Sequence, residues 1–114
     1  MQRLFIVEDD YDILDLITML FEGDYEIDSE QSIRRVLDNP SKLIESHLII
    51  TDFLTEDLTC KELIEHFPEK TFLIISAYSQ NTPDIKKLLN RPNVYYLQKP
   101  FDIMSIKKTV KELI

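Results

Sequence analysis

Five short runs of mostly β-branched and apolar residues, at positions 4–7, 25–27, 48–51, 72–75 and 94–97, are separated by segments with helical spacing. This alternation constrains the fold more than any other feature of the chain. Parallel strands need a crossover long enough to hold a helix, so a strand–helix–strand rhythm implies an α/β domain with a parallel sheet covered on both faces. Leu48-Ile49-Ile50 and Phe72-Leu73-Ile74-Ile75 are apolar throughout instead of alternating with polar residues. Central strands buried on both faces look like that. Right-handed crossovers then leave few topologies.

The segments between the strands carry their own signals. Ile13, Leu14, Leu16, Ile17, Leu20 and Phe21 recur at the spacing of one helix face. That predicts a helix over 10–22, with Asp10 as N-cap and Gly23 just beyond the C-terminus. A second helix is expected at 32–37, stopped at Asn39-Pro40 with a short continuation to 45. The others fall at 60–67, 84–89 and 102–113. Within the last two, Ile85, Leu88, Ile103, Ile106 and Val110 read as the buried stripe.

At 114 residues the chain is expected to form one domain, 1–114. No apolar run approaches the ~20 residues of a membrane helix, and no signal-peptide pattern precedes the first strand. The single cysteine, Cys60, has no partner for an internal disulfide, so a reduced, cytoplasmic setting is expected. The single glycine, Gly23, excludes glycine-rich phosphate loops. With 13 basic and 21 acidic side chains the net charge is −8, which argues against direct nucleic-acid binding. Residues 1–82 hold 6 basic and 18 acidic side chains, whereas 83–114 hold 7 and 3. An acidic front and a basic tail suggest two separate surfaces.

In open α/β sheets, sites lie beyond the carboxyl ends of the strands. The first strand ends in Val7-Glu8-Asp9-Asp10, the third in Ile50-Thr51-Asp52, the fourth in Ile75-Ser76-Ala77 and the fifth in Leu97-Gln98-Lys99-Pro100. Taken singly, each has an ordinary explanation: Asp10 a cap, Asp52 and Ser76 turn residues, Lys99 a solvated lysine. Their joint placement at successive strand ends has none. If the first and third strands are neighbours, Glu8, Asp9 and Asp52 converge, and like charges that close call for a cation. Hard oxygen ligands with open positions suit Mg²⁺. With a lysine and a hydroxyl nearby, such a group fits phosphoryl transfer, with a carboxylate as nucleophile.

Phe5-Ile6-Val7-Glu8-Asp9-Asp10, Leu48-Ile49-Ile50-Thr51-Asp52, Ile74-Ile75-Ser76-Ala77 and Gln98-Lys99-Pro100-Phe101 form an ordered set. In that set the chain resembles the receiver domain of two-component response regulators along its whole length. The resemblance implies a flavodoxin-like (βα)5 doubly wound five-stranded parallel sheet of order 2-1-3-4-5. It implies Asp52 as phosphoacceptor, with Mg²⁺ held by Glu8, Asp9, Asp52 and the backbone carbonyl of Leu54. Ser76 and Tyr96 would be the switch pair, Lys99 and Ser76 the phosphoryl-binding groups, and Lys99-Pro100 a cis peptide. The donor would be a sensor histidine kinase or phosphotransfer protein. The output surface would be the face of the fourth helix, fifth strand and fifth helix, carrying Lys86, Lys87, Lys107, Lys108 and Lys111, and open to an acidic partner or a homodimer. The chain would be a switch in a phosphorelay, not an enzyme.

The sequence also departs from that pattern. Receivers usually carry Pro four residues after the acceptor and Gly a few further on; here Glu56 and Cys60 stand there. The interval from Asp52 to Ser76 is several residues shorter than usual, so the third helix or the loop before it must be short. Leu54 and Tyr78 are bulky beside the expected water path, which implies slow loss of phosphate. Two alternatives fit the same residues: a receiver-like protein-binding module that is never phosphorylated, and a small Mg²⁺-dependent aspartyl phosphatase. For the phosphatase, the second Asp common two positions after the nucleophile is missing, since Leu54 stands there. A flavodoxin-like cofactor binder lacks its Ser/Thr/Gly loop after the first strand. His47 and His66 form no metal-binding spacing and read as structural, and Cys60 as packing.

Overall fold

A computed structural model describes residues 1–114. The chain runs β1 (Arg3–Val7), α1 (Tyr11–Phe21), β2 (Glu26–Glu30), α2 (Ile33–Asp38), α3 (Ser41–Glu45), β3 (Leu48–Asp52), β4 (Leu54–Thr55), β5 (Leu58–Thr59), α4 (Lys61–His66), β6 (Phe72–Ser76), α5 (Pro83–Leu88), β7 (Val94–Gln98) and α6 (Ile103–Leu113). The main sheet has the order β2-β1-β3-β6-β7, and every pair is parallel. Counting only these five strands, this is the expected 2-1-3-4-5 arrangement.

Side-chain alternation divides the core into two layers. Phe5, Val7, Ile49, Phe72, Ile74 and Val94 point to the face covered by α2 to α5. Leu4, Ile6, Leu48, Ile50, Leu73 and Ile75 point to the face covered by α1 and α6. Because β1, β3 and β6 bury both faces, their sequences cannot alternate in polarity. Burying each of these large side chains contributes about 1.5–3 kcal/mol, which outweighs local propensity in fixing the register.

The helix ends follow their side chains. Asp10 caps α1, accepting from the Asp12 and Ile13 amides. Ser32 caps α2 and Asp102 caps α6. Gly23 lies beyond α1, yet no glycine adopts a positive φ. His47 Nδ1 accepts the Arg3 amide at 3.0 Å, tying β3 to the start of β1. Cys60 is fully buried in the core.

Four features differ from the sequence reading. β2 extends through Asp28-Ser29-Glu30, poor strand formers held on the sheet edge by pairing with Phe5, Ile6 and Val7. The continuation after Pro40 is a separate helix, α3, so there are six helices instead of five. Ile103 is not core: it begins α6 and is 47% exposed, since the helix turns only Ile106 and Val110 inward. Residues 54–59 form an antiparallel hairpin, with Leu54 opposite Thr59 and Thr55 opposite Leu58. At its turn Glu56 has φ 54°. Proline, locked near −65°, could not adopt that angle, which accounts physically for its absence at this position. The tight hairpin and the six-residue α4 together explain the short interval from Asp52 to Ser76.

Candidate functional site

β1 and β3 are adjacent, with Val7 opposite Thr51. The residues just past these positions therefore emerge side by side at the same end of the sheet. The Glu8 amide continues the ladder beyond β1 by donating to the Glu30 carbonyl at 3.1 Å. That turns the Glu8 side chain into the interior, where it is fully buried. Its Oε2 accepts the Asp10 amide at 3.2 Å and its Oε1 accepts the Lys99 ammonium at 2.7 Å. Asp9 is exposed and Asp52 half-buried, and Glu8, Asp9 and Asp52 offer carboxylate oxygens within 4.8 Å of one another.

Asp52 ends β3. Its Oδ1 accepts the Phe53 amide at 2.8 Å, and its Oδ2 lies 3.4 Å from Lys99 Nζ. Lys99 arrives from the opposite side of the strand ends, its amide donating to the Ser76 carbonyl at 2.8 Å. The Lys99–Pro100 peptide is cis. One ammonium thus bridges two carboxylates.

The electrostatics follow from this burial. Desolvation, with a smaller contribution from the charge on Asp52, pushes the Glu8 carboxyl up to about 7 against the pull of Lys99. Burial alone would lower the Lys99 pKa. The hydrogen bond to Glu8 and the charges of Asp52 and Glu8 outweigh it, so the net direction is up. The two directions reflect unequal surroundings: Glu8 lies in the dry interior, whereas Lys99 keeps some solvent and faces two acids. One lysine against three carboxylates leaves the cluster short of positive charge, and the donors are all hard oxygens. A divalent cation of the Mg²⁺ type fits both conditions.

Ser76, at the end of β6, is buried, and its Oγ accepts the Tyr78 amide at 3.0 Å. Tyr96 sits on β7 opposite Ile74. Its hydroxyl donates to the Tyr78 carbonyl and lies 3.4 Å from the Ser76 carbonyl. Burial raises its pKa. Glu8, Asp52, Ser76 and Lys99 are therefore drawn into one linked group, with Asp9 at its exposed rim. Leu54, two residues past Asp52, belongs to the hairpin and is 37% exposed.

Two residues escaped the sequence reading. Phe53 gives its amide to Asp52 and packs its ring edge-on against Tyr78, centroids 5.9 Å apart. Thr55 is buried, and its hydroxyl accepts the Ile33 amide at 2.8 Å, so the hairpin takes the first α2 amide that the Ser32 cap leaves free. Neither has a local signal, because each partner lies on a distant segment.

No protein-family model matches the sequence, and no curated protein matches it either. Among solved structures, the adenylate cyclase from Rhodopirellula baltica superposes with a TM-score of 0.86 at 22% identity, over 99% of this chain and 87% of that one. The chemotaxis protein CheY4 of Vibrio cholerae gives 0.83 at 16% identity, over 100% and 99%. A response regulator receiver domain from Methanospirillum hungatei gives 0.80 at 22% identity, over 98% and 92%. The chain thus has the CheY-like flavodoxin fold of receiver domains.

Proposed function

We propose that the protein is the phosphoacceptor of a two-component or phosphorelay pathway, taking a phosphoryl group onto Asp52 from a phosphohistidine of a sensor kinase or phosphotransfer protein. The observation that carries this reading is the convergence of Glu8, Asp9 and Asp52 at adjacent strand ends, with Lys99 Nζ 3.4 Å from Asp52. Glu8, Asp9, Asp52 and the Leu54 carbonyl are the groups that would hold Mg²⁺. The bound ion would neutralise charge on the phosphoryl oxygens.

An Asp52 carboxylate oxygen attacks phosphorus, the phosphorus–nitrogen bond of the donor breaks, and its electron pair leaves with the imidazole. Lys99 pairs with the phosphoryl oxygens as their charge approaches the about −1.5 to −2 of a phosphoryl group. Ser76 exchanges its contact with Tyr78 for one of those oxygens. Tyr96, bonded to the same Tyr78 backbone, follows, and the face built from α5, β7 and α6 changes shape. That face carries the exposed Lys86, Lys87, Lys107, Lys108 and Lys111 and suits an acidic partner or a second copy. On this reading the protein is a cytoplasmic switch and turns over no external substrate. No helix is long and apolar enough to cross a membrane.

Incubation with acetyl phosphate and Mg²⁺, followed by intact mass, tests the proposal. The wild type should gain the mass of one phosphoryl group and Asp52→Asn should not. Equal gain, or none in either, rejects it. Leu54, two residues past Asp52, and Tyr78, packed on Phe53, are bulky, so phosphate loss should be slow and Leu54→Asn should speed it. An unchanged decay rate rejects that part.

A further inference from the structure

A cavity of about 300 Å³ lies between α4 and α5, apart from the carboxylate site. Its apolar lining is Phe53 and Leu88, both buried. Lys61 reaches it from α4, Lys87 from α5 and Arg91 from the segment after α5; Asp84 is the one acid and Thr59 adds a hydroxyl. In a chain of net charge −8, this hollow carries three cations against one carboxylate. Arg91 Nη2 has only a loose contact with Glu65, at 3.8 Å, so its fork retains free donors. Lys61 and Lys87 are exposed and can close on a ligand. Its volume falls at the low end of the roughly 300–1,000 Å³ of small-molecule sites.

We infer that this cavity binds a small organic phosphate, its apolar body against Phe53 and Leu88 and its phosphate among Lys61, Lys87 and Arg91. A phosphomonoester near −2 matches a surplus of two positive charges, and the guanidinium fork suits phosphate oxygens. Phe53 connects the cavity to the carboxylate site in two ways. Its amide holds Asp52 Oδ1, and its ring packs on Tyr78, whose backbone engages both Ser76 and Tyr96. A ligand seated on Phe53 therefore biases the same aromatic and hydroxyl arrangement. This coupling rests on the receiver reading, whereas binding itself does not.

The test is an amide-shift titration of the full chain with phenyl phosphate in the absence of Mg²⁺, repeated with inorganic phosphate. Saturating shifts are expected at Phe53, Thr59, Lys61, Leu88 and Arg91. The affinity should fall about tenfold or more in Lys87→Glu and in Lys61→Glu, both exposed positions, and stay unchanged in Lys42→Glu, an exposed charge reversal on α3 away from both sites. No saturation, shifts centred on Lys99, or wild-type affinity retained in both Lys87→Glu and Lys61→Glu would overturn the site. Inorganic phosphate binding as tightly as phenyl phosphate would overturn the organic ligand. For coupling, phenyl phosphate should alter the rate of acetyl-phosphate labelling of the wild type but not of Lys87→Glu. An identical response in the two, with phosphorylation itself intact, rejects coupling alone.

Discussion

The Lys99 ammonium lies 2.7 Å from Glu8, a carboxylate with no solvent exposure, although 91 residues separate them in sequence. Removing one partner of such a pair costs more than removing both, because the survivor stays buried without compensation. Lys99→Met is expected to destabilise the fold by about 1–3 kcal/mol, and adding Glu8→Gln should recover part of the loss. Urea unfolding of the two single variants and the double variant measures the coupling. Additive losses would show that the contact contributes nothing.

Three clustered carboxylates, only two of them paired with Lys99, should make the folded state responsive to divalent cations. Mg²⁺ at a hundred times its dissociation constant is expected to stabilise the wild type by about 2.7 kcal/mol. Asp9→Asn should lose most of that gain while keeping its metal-free stability, since Asp9 is exposed. Thermal melts with Mg²⁺ and with a chelator check this.

Cys60 should be silent until the protein unfolds. Burial, with the charge of Asp52 adding to it, pushes its thiol from 9.0 up to about 12. Between those values the folded chain retains a proton that the unfolded chain releases, so this contribution to stability is complete below 9.0 and lost as pH rises towards 12. Lys99, also raised, acts in the same direction at alkaline pH. Chemical denaturation from pH 8 upward should therefore show a steep fall in the wild type and a shallower one in Cys60→Ala. A thiol reagent should label the native protein only at the rate of unfolding.

Glycine and left-handed backbone occur at different places in this chain. Gly23 has no positive φ, and a Cβ built there meets nothing within 4 Å. Gly23→Ala should stabilise by about 0.4–1 kcal/mol by restricting the unfolded chain. Glu56, at φ 54°, is the opposite case. Glu56→Gly should gain up to about 1 kcal/mol, and Glu56→Pro should lose several times that by breaking the hairpin. Equilibrium unfolding compares all three with the wild type.

The sheet was legible because its central strands must be apolar on both faces, and Leu48-Ile49-Ile50 satisfies nothing else as economically. The cluster was legible because a parallel sheet gathers its carboxyl ends, so Glu8 and Asp52 needed only a neighbour relation to meet. What stayed hidden depended on distant partners. Asp28-Ser29-Glu30 is strand only because β1 offers its edge. Ile103 fits the apolar period of its helix but falls outside the layer that the sheet can cover. The 54–59 hairpin is held by a threonine reaching Ile33, a contact that no window of sequence contains.

That hairpin gives the acceptor a fixed jaw. Thr55 anchors it to the start of α2, Arg34 reaches Asp57 at 3.0 Å from the same helix, and the Phe53 carbonyl accepts the Cys60 amide at 2.8 Å. On the opposite side, Ser76, Tyr78 and Tyr96 are joined through the Ser76 and Tyr96 hydroxyls to the Tyr78 backbone. A group added at Asp52 would thus meet a backbone-braced hairpin on one side and, towards β7, a wall joined largely through side chains.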